Sequence, residues 1–304
     1  MNHYPSNVKE KLNSIILSMA EHHWLFSNNT GNDFTRQHLG KLSFYDTMRL
    51  IISMGKGSTN DEIMDYFNLD PDLIPSQSAF CQRRRQISLS AFEYLFSEFS
   101  SSFPSTTDKF KDHCILACDG CHVVYATNSD IIEDYNKPRL IDYKGYNHMH
   151  LNGFVDVISK AFLDVVIQPG QQPDEREALH SMLDHFTPDD PQKYIITADR
   201  GYESYDLLFH CELKNLGYVF RVKSPSSPKS ILSYYASEFP DDLEEFDVTI
   251  KRFFTDKATN IMKSQSDVYR YINPSKNTPH FYELLRKNHS HLYFLQFRVV
   301  KIKT

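Results

Sequence analysis

The chain has 304 residues, 40% of them hydrophobic and 13% aromatic, enough for two domains or one large domain with an insertion around a sizeable core. Ten glycines and 14 prolines exclude low-complexity disorder, and no apolar run approaches the roughly 18 residues of a membrane span. The net charge of −6 hides an asymmetry: residues 246–304 carry 11 Lys+Arg against 4 Asp+Glu, a surplus of 7, which leaves the preceding residues at −13. An acidic body followed by a basic segment suits carboxylates that hold metal and a flank that meets phosphate, although ordinary surface variation gives the same numbers.

Residues 1–105 read as helical. "SFYDTMRLIISM" has apolar residues at helical spacing, and "GKGS" breaks it. Thr59 opens T-N-D-E, a capping box with Glu62 at N3. Ser76 is placed to cap "QSAFCQRRRQI", and "SAFEYLFSEFSSSF" forms a further amphipathic helix. From about residue 113 the pattern changes to short strands. "HCILACDGCHVVYA", "NGFVDVIS" and "AFLDVVIQ" are followed by the helix "DEREALHSMLDHF" and the strand "KYIITADRG". The helix "SYDLLFHCELKNLG", closed by Gly217, and the strand "YVFRVK" complete the series. The order β-β-β-α-β-α-β predicts an α/β mixed sheet with flanking helices. After the loop "SPSSPKS", residues 224–304 read as a separate β-rich unit with basic residues among β-branched and aromatic ones.

Cys118-Asp119-Gly120-Cys121-His122 matches the C-x-x-C-H pattern of haem attachment, and with Cys114 it offers thiols and an imidazole to zinc. In an extended strand side chains alternate, so Cys118 and Cys121 face opposite sides and cannot meet one haem edge. A bulge is needed to regroup them around zinc. The N-terminal stretch lacks the apolar core and small-residue cleavage site of a signal peptide, so the expected location is cytoplasmic, with reduced cysteines.

Asp119 is the odder residue, an acid within an apolar strand, where burial is costly unless the carboxylate is paired or metal-bound. Taken alone it also fits a solvated strand-end acid. Asp199 repeats the situation at the end of "YIITAD", where sites form in sheets of this kind. Two carboxylates on neighbouring strands suit Mg²⁺ or Mn²⁺. Two such ions about 3.5–4 Å apart support phosphoryl transfer.

The series "ILACDG", "NGFVDVISKAFLDVVIQPGQQPDEREAL", "YIITADRGYES" and "LGYVFRVK" resembles the DDE transposases of bacterial insertion sequences, most closely the insertion-sequence-four type. The resemblance extends to "KLSFYDTMRLIISMGKGSTNDEIMDYF" before it and "LYFLQFRVVKIK" after it, most of the chain. It implies a ribonuclease-H-like core over residues 106–223, a helical DNA-binding region over 1–105 and a β-rich insertion over 224–304. Asp119 and Asp199 match the first two metal-binding acids, and Arg200, Gly201 and Tyr202 the residues after the second. The implied ions are Mg²⁺ or Mn²⁺. The implied partners are double-stranded DNA, as transposon ends and target, and a second copy in a homodimer, with no membrane.

The family's third acid, a glutamate in Y-x-x-R-x-x-x-E-x-x-x-x-x-x-K beyond the insertion, has no match. "FYELLRKN" holds Tyr282, Glu283 and Arg286 in the wrong order and spacing. The expectation is therefore a chain lacking the C-terminal portion that carries this helix, with weakened metal binding and exposed apolar sheet surface. Either the chain is a transposase or it is an inactive remnant that binds transposon ends or inhibits intact copies. A zinc protein centred on residues 114–122 is the outside alternative. Candidate DNA contacts are Arg83, Arg84 and Arg85 on one helix, Arg200, and Lys251, Arg252 and Arg298 among strand aromatics. A solvated helix face and ordinary strand alternation give the same patterns. His148 and His150 have no ligand spacing that stands out.

Overall fold

A computed structural model of the chain describes residues 4–29, 33–34, 41–102, 109–138, 144–240, 244–273 and 278–303. They fall into two compact units, Met1–Pro104 and Ser105–Thr304.

The first unit is helical: α1 (Tyr4–Glu21), α2 (Phe44–Ser53), α3 (Thr59–Tyr66), α4 (Gln77–Gln86) and α5 (Leu89–Ser101). Ser43 caps α2 in a reciprocal capping box with Asp46, and the Ser76 hydroxyl accepts the Ala79 N–H at the start of α4. The α3 cap lies one residue earlier than expected. Ser58 accepts the Asp61 N–H, while Glu62 turns back to accept the Gly57 N–H at 2.7 Å. Ile16, Met19, Phe44, Met48 and Leu95 form one apolar cluster, and Leu42, Leu50, Ile63 and Phe80 a second. The predicted last helix ends at Ser101; its anticipated end at Phe103 lies outside the described residues, as does Thr304 after the last strand.

The second unit begins with β1 (Cys114–Tyr125), the two-residue β2 (Tyr135–Asn136), β3 (Tyr146–Asp156) and β4 (Phe162–Pro169). α6 (Glu175–His185), β5 (Tyr194–Ala198), α7 (Tyr205–Leu213) and β6 (Gly217–Phe220) follow. The sheet runs β2-β3-β1-β5-β6, with β4 also on β3. β1, β3 and β4 are antiparallel; β5 and β6 join β1 in parallel. One face buries Leu116, Cys118, Phe154, Ile196 and Ala198 against Ala178, Leu179, Met182, Leu207 and Cys211 of α6 and α7. The other face exposes Phe162 (47%), Ile167 (62%) and Val219 (62%). Gly217 does not close α7. Asn215 takes the left-handed conformation (φ 54°), which asparagine tolerates. The N–H groups of Asn215 and Leu216 bond to the carbonyls of Glu212 (3.1 Å) and Cys211 (2.9 Å), a Schellman closure that frees Gly217 to start β6.

The remainder contains β7 (Phe246–Thr255), α8 (Asn260–Ser264), β8 (Tyr269–Tyr271), α9 (Pro279–Lys287) and β9 (Leu292–Lys301), in a sheet of order β8-β7-β9. Its inner side chains Ile250, Phe254, Leu295 and Phe297 and the α9 residues Phe281, Leu284 and Leu285 share one apolar cluster with Leu208 and Phe209 of α7. Helix α7 thus has two buried faces, one on the first sheet and one on the second, consistent with its near-continuous apolar run. Among the described residues no helix is long and apolar enough to cross a membrane.

Candidate active site

Strand register assembles the two acids. Cys118 pairs with Ala198 across the parallel β1–β5 ladder, and both point into the core. The next residue on each chain, Asp119 and Asp199, is exposed, as alternation requires. Neighbouring strands lie about 4.8 Å apart, so the two carboxylates start from positions that one ion or ion pair can bridge. Asp119 accepts its own Gly120 N–H at 2.9 Å and Asp199 accepts the Gly201 N–H. Among the described residues neither is ion-paired with a cation. Two unpaired like charges at adjacent strand positions favour a cation between them.

Glu175, in the first turn of α6, was not singled out by the sequence reading. Its Oε2 and the Oδ1 of Asp199 lie 2.7 and 3.1 Å from where a Cβ would stand on Gly201, so the absent side chain leaves a space bordered by two carboxylates. Oε1 of Glu175 lies 3.5 Å from Nε2 of the buried His150. Its only sequence signal was an acid just after the helix-capping Asp174.

The D-G pair has a packing reason. A Cβ on Gly120 would collide with His150 Nε2 and come within 3.0 Å of Asn152 Oδ1. Gly120→Ala should therefore push His150 out of place and cost about 1–3 kcal/mol, read as a lower denaturant midpoint. An unchanged midpoint would show that His150 yields without cost.

The loop after Asp199 is anchored from below. Tyr202 is buried with its hydroxyl against the Cys118 thiol, and burial pushes that thiol up to about 12. Cys118 is therefore an inert core group. Cys121 is exposed and Cys114 buried, so these thiols do not converge on zinc or haem. Glu203, fully buried, accepts the Lys223 N–H (3.0 Å), the Ser230 hydroxyl (2.7 Å) and the Ile231 N–H (2.5 Å), and pairs with the Lys223 ammonium at 3.4 Å. It ties the loop bearing Asp199 to the segment leading into the second sheet.

Residues 110–291 match the family model described as transposase DDE domain. The chain belongs to the DDE transposases. No curated protein matches it. DDE transposases use divalent metal ions and act on DNA, and the carboxylates of Asp119, Asp199 and Glu175 are the hard oxygen donors such ions take.

The basic candidates separate by burial. Arg83 is only 9% exposed, with its guanidinium over the Phe34 ring and bonded to Gln86 at 3.0 Å. Burial holds its pKa below the usual arginine value. Arg84 and Arg85 are exposed on the same last turn. Arg252 lies on the inner face of β7, paired with Glu238, bonded to the Ser266 carbonyl at 3.2 Å and stacked on Tyr235. Lys251 is on the outer face, as is Arg298, which forms a two-pronged pair with Asp247. Phe253 and Phe294 pair on the same face beyond Lys251, with rings 5.2 Å apart. Arg200 is exposed beside Asp199, and Arg176 approaches from α6, donating from Nε to the Gly201 carbonyl at 3.3 Å.

Proposed function

We propose that this transposase binds transposon-end DNA and carries out strand cleavage and transfer at Asp119 and Asp199. The observation that carries the reading is the register of Cys118 with Ala198, which sets two unpaired acids side by side. The sheet order, antiparallel through β4, β3 and β1 and then parallel through β5 and β6, supports a ribonuclease-H-like core over residues 106–223, with 1–105 as the DNA-binding region and 224–304 as the insertion. Mg²⁺ or Mn²⁺, when bound, supplies electrostatic stabilisation of the oxygens that attack and leave. Asp119 and Asp199, with Glu175 beside Asp199, are the residues that would hold it. Water first attacks a phosphodiester at the transposon end, releasing a 3′-hydroxyl. That hydroxyl then attacks a target phosphodiester, displacing one strand and forming a new bond. Arg200 and Arg176 stand where they can contact phosphate. Cytoplasmic location and action as a homodimer on paired ends belong to the same reading.

The family's third acid is not found among residues 1–304. The second reading is that the chain binds ends and does not cut them. Incubating the full chain with end DNA and Mn²⁺ separates the two. Cleavage products that disappear in Asp119→Ala support catalysis; retarded but uncut DNA supports the end-binding form. Absence of end binding sinks both.

Binding should also sort the arginines. Arg84→Ala and Arg85→Ala are expected each to lower the slope of log K against log salt by about 1. Arg83→Ala should instead lower the melting temperature and leave the slope unchanged. Equal effects of all three on the slope would contradict this assignment.

A further inference from the structure

Away from the acids, three histidines from three helices meet. His180 comes from α6, His210 from α7 and His280 from the first turn of α9, and one ring nitrogen of each lies within 4.8 Å of the others. We propose that His180, His210 and His280 form a zinc site that staples α6 and α7 of the first sheet to α9 of the insertion.

On each ring one nitrogen faces a carboxylate. His280 Nδ1 donates to Asp206 Oδ2 at 2.7 Å. His210 Nε2 lies 3.2 Å from Asp184 Oδ1, and His180 Nε2 lies 3.6 Å from Asp206 Oδ2. With those nitrogens turned to carboxylates, the remaining ones are His180 Nδ1, His210 Nδ1 and His280 Nε2. A carboxylate on the far side of each imidazole is the arrangement that orients histidine ligands on a metal. The two Nδ1 atoms face each other at 2.9 Å. Ligands at 2.0–2.1 Å on a tetrahedral zinc stand about 3.3 Å apart. The His280 ring is stacked on His210, with centroids 3.8 Å apart and planes 11° from parallel, so zinc binding requires this partly exposed side chain to rotate until Nε2 points at the ion.

Charge argues the same way. Asp206 is 1% exposed and has no lysine or arginine partner among the described residues. Its Oδ1 accepts the N–H groups of His280 (3.1 Å) and Phe281 (3.2 Å), so it also caps α9. The imidazoles of His180 and His280 flank it. A dication among them balances the buried carboxylate. His180, Asp184, Asp206 and His280 line an open groove, which provides the entry path and a fourth position for water. Imidazole nitrogens select zinc over the Mg²⁺ or Mn²⁺ suited to carboxylates. The competing arrangement is a stack of neutral histidines in which one Nδ1–H donates to the other.

The test is zinc content and affinity of the purified full chain, with Zn²⁺ alone as the probe. One zinc per chain is expected, unaffected by excess Mg²⁺, with a melting temperature that rises with Zn²⁺. His280→Gln should abolish stoichiometric binding, and Asp184→Asn, which keeps the ligands, should weaken it about 10–100-fold. Should either variant fold poorly, Co²⁺ substitution of the unaltered chain decides. Tetrahedral visible bands without a thiolate charge-transfer band place the ion on the histidines. Substoichiometric zinc, zinc retained in folded His280→Gln, or a thiolate band would overturn the site and leave a hydrogen-bonded stack.

Discussion

Replacing Asp119 or Asp199 by asparagine is expected to weaken Mn²⁺ binding about 100-fold, with little change in melting temperature. Each carboxylate contributes a unit charge beside a dication. At 4 Å a pair of unit charges is worth about 4 kcal/mol at an effective dielectric of 20 and about 1 kcal/mol in water. These exposed acids fall between those limits, which gives two powers of ten in affinity. Stability is spared because neither carboxylate has a cationic partner among the described residues, and removing one charge relieves repulsion by the other. End cleavage, where it occurs, should fall by about 10³-fold or more, since stabilisation at the reacting oxygens is lost with the ion. Titration followed by the Mn²⁺ paramagnetic resonance signal is the direct measurement. Unaltered affinity in both variants would remove these acids from the site. Glu175→Gln should give a smaller loss, because Glu175 borders Asp199 alone and also interacts with His150.

The second large effect is structural. Glu203→Ala should destabilise the second unit by about 3 kcal/mol. The substitution strands the N–H groups of Lys223 and Ile231 and removes the carboxylate partner of the Lys223 ammonium, while the Ser230 hydroxyl keeps its bond to the Lys223 carbonyl at 3.0 Å. The loop 224–229 should then become a site of rapid proteolysis, while Glu203→Gln, which keeps an acceptor oxygen, should lie between. A loss below about 0.5 kcal/mol would place Glu203 among ordinary surface substitutions, contrary to its burial. Lys223 also donates to the Arg200 carbonyl at 3.4 Å, so the same variant should disturb the loop that holds Asp199.

Much of this was readable along the chain because it depends on local periodicity. Alternating and 3.6-residue patterns marked most strands and helices, and acids interrupting two apolar strands marked Asp119 and Asp199. Errors arose where one local choice competed with another. Ser58 rather than Thr59 caps α3, because both have a hydroxyl and Ser58 is the one that reaches the Asp61 N–H. Asn215 takes the left-handed turn that Gly217 was expected to fill. Three consecutive arginines look equivalent in sequence, yet a helix turns 100° per residue, so Arg83 faces Phe34 while Arg84 and Arg85 face water. In the same way strand alternation turns Arg252 inward and Lys251 outward.

The sequence by itself determined the order of elements, the two strand-borne acids, the transposase resemblance and the improbability of a cysteine-centred haem or zinc site. Each depends on residues close in the chain, or on a motif order that survives without coordinates. Only the tertiary structure decided that Asp119 and Asp199 are neighbours in register, that Glu175 borders Asp199 across the open Cα of Gly201, and that Glu203 is a buried anchor. The histidine cluster shows the difference most sharply. His180 with Asp184 and Asp206 with His210 are ordinary four-residue spacings, and His280 lies 70 residues further on. They acquire a shared chemistry because α7 packs against both sheets at once, a fact of packing that no local pattern encodes.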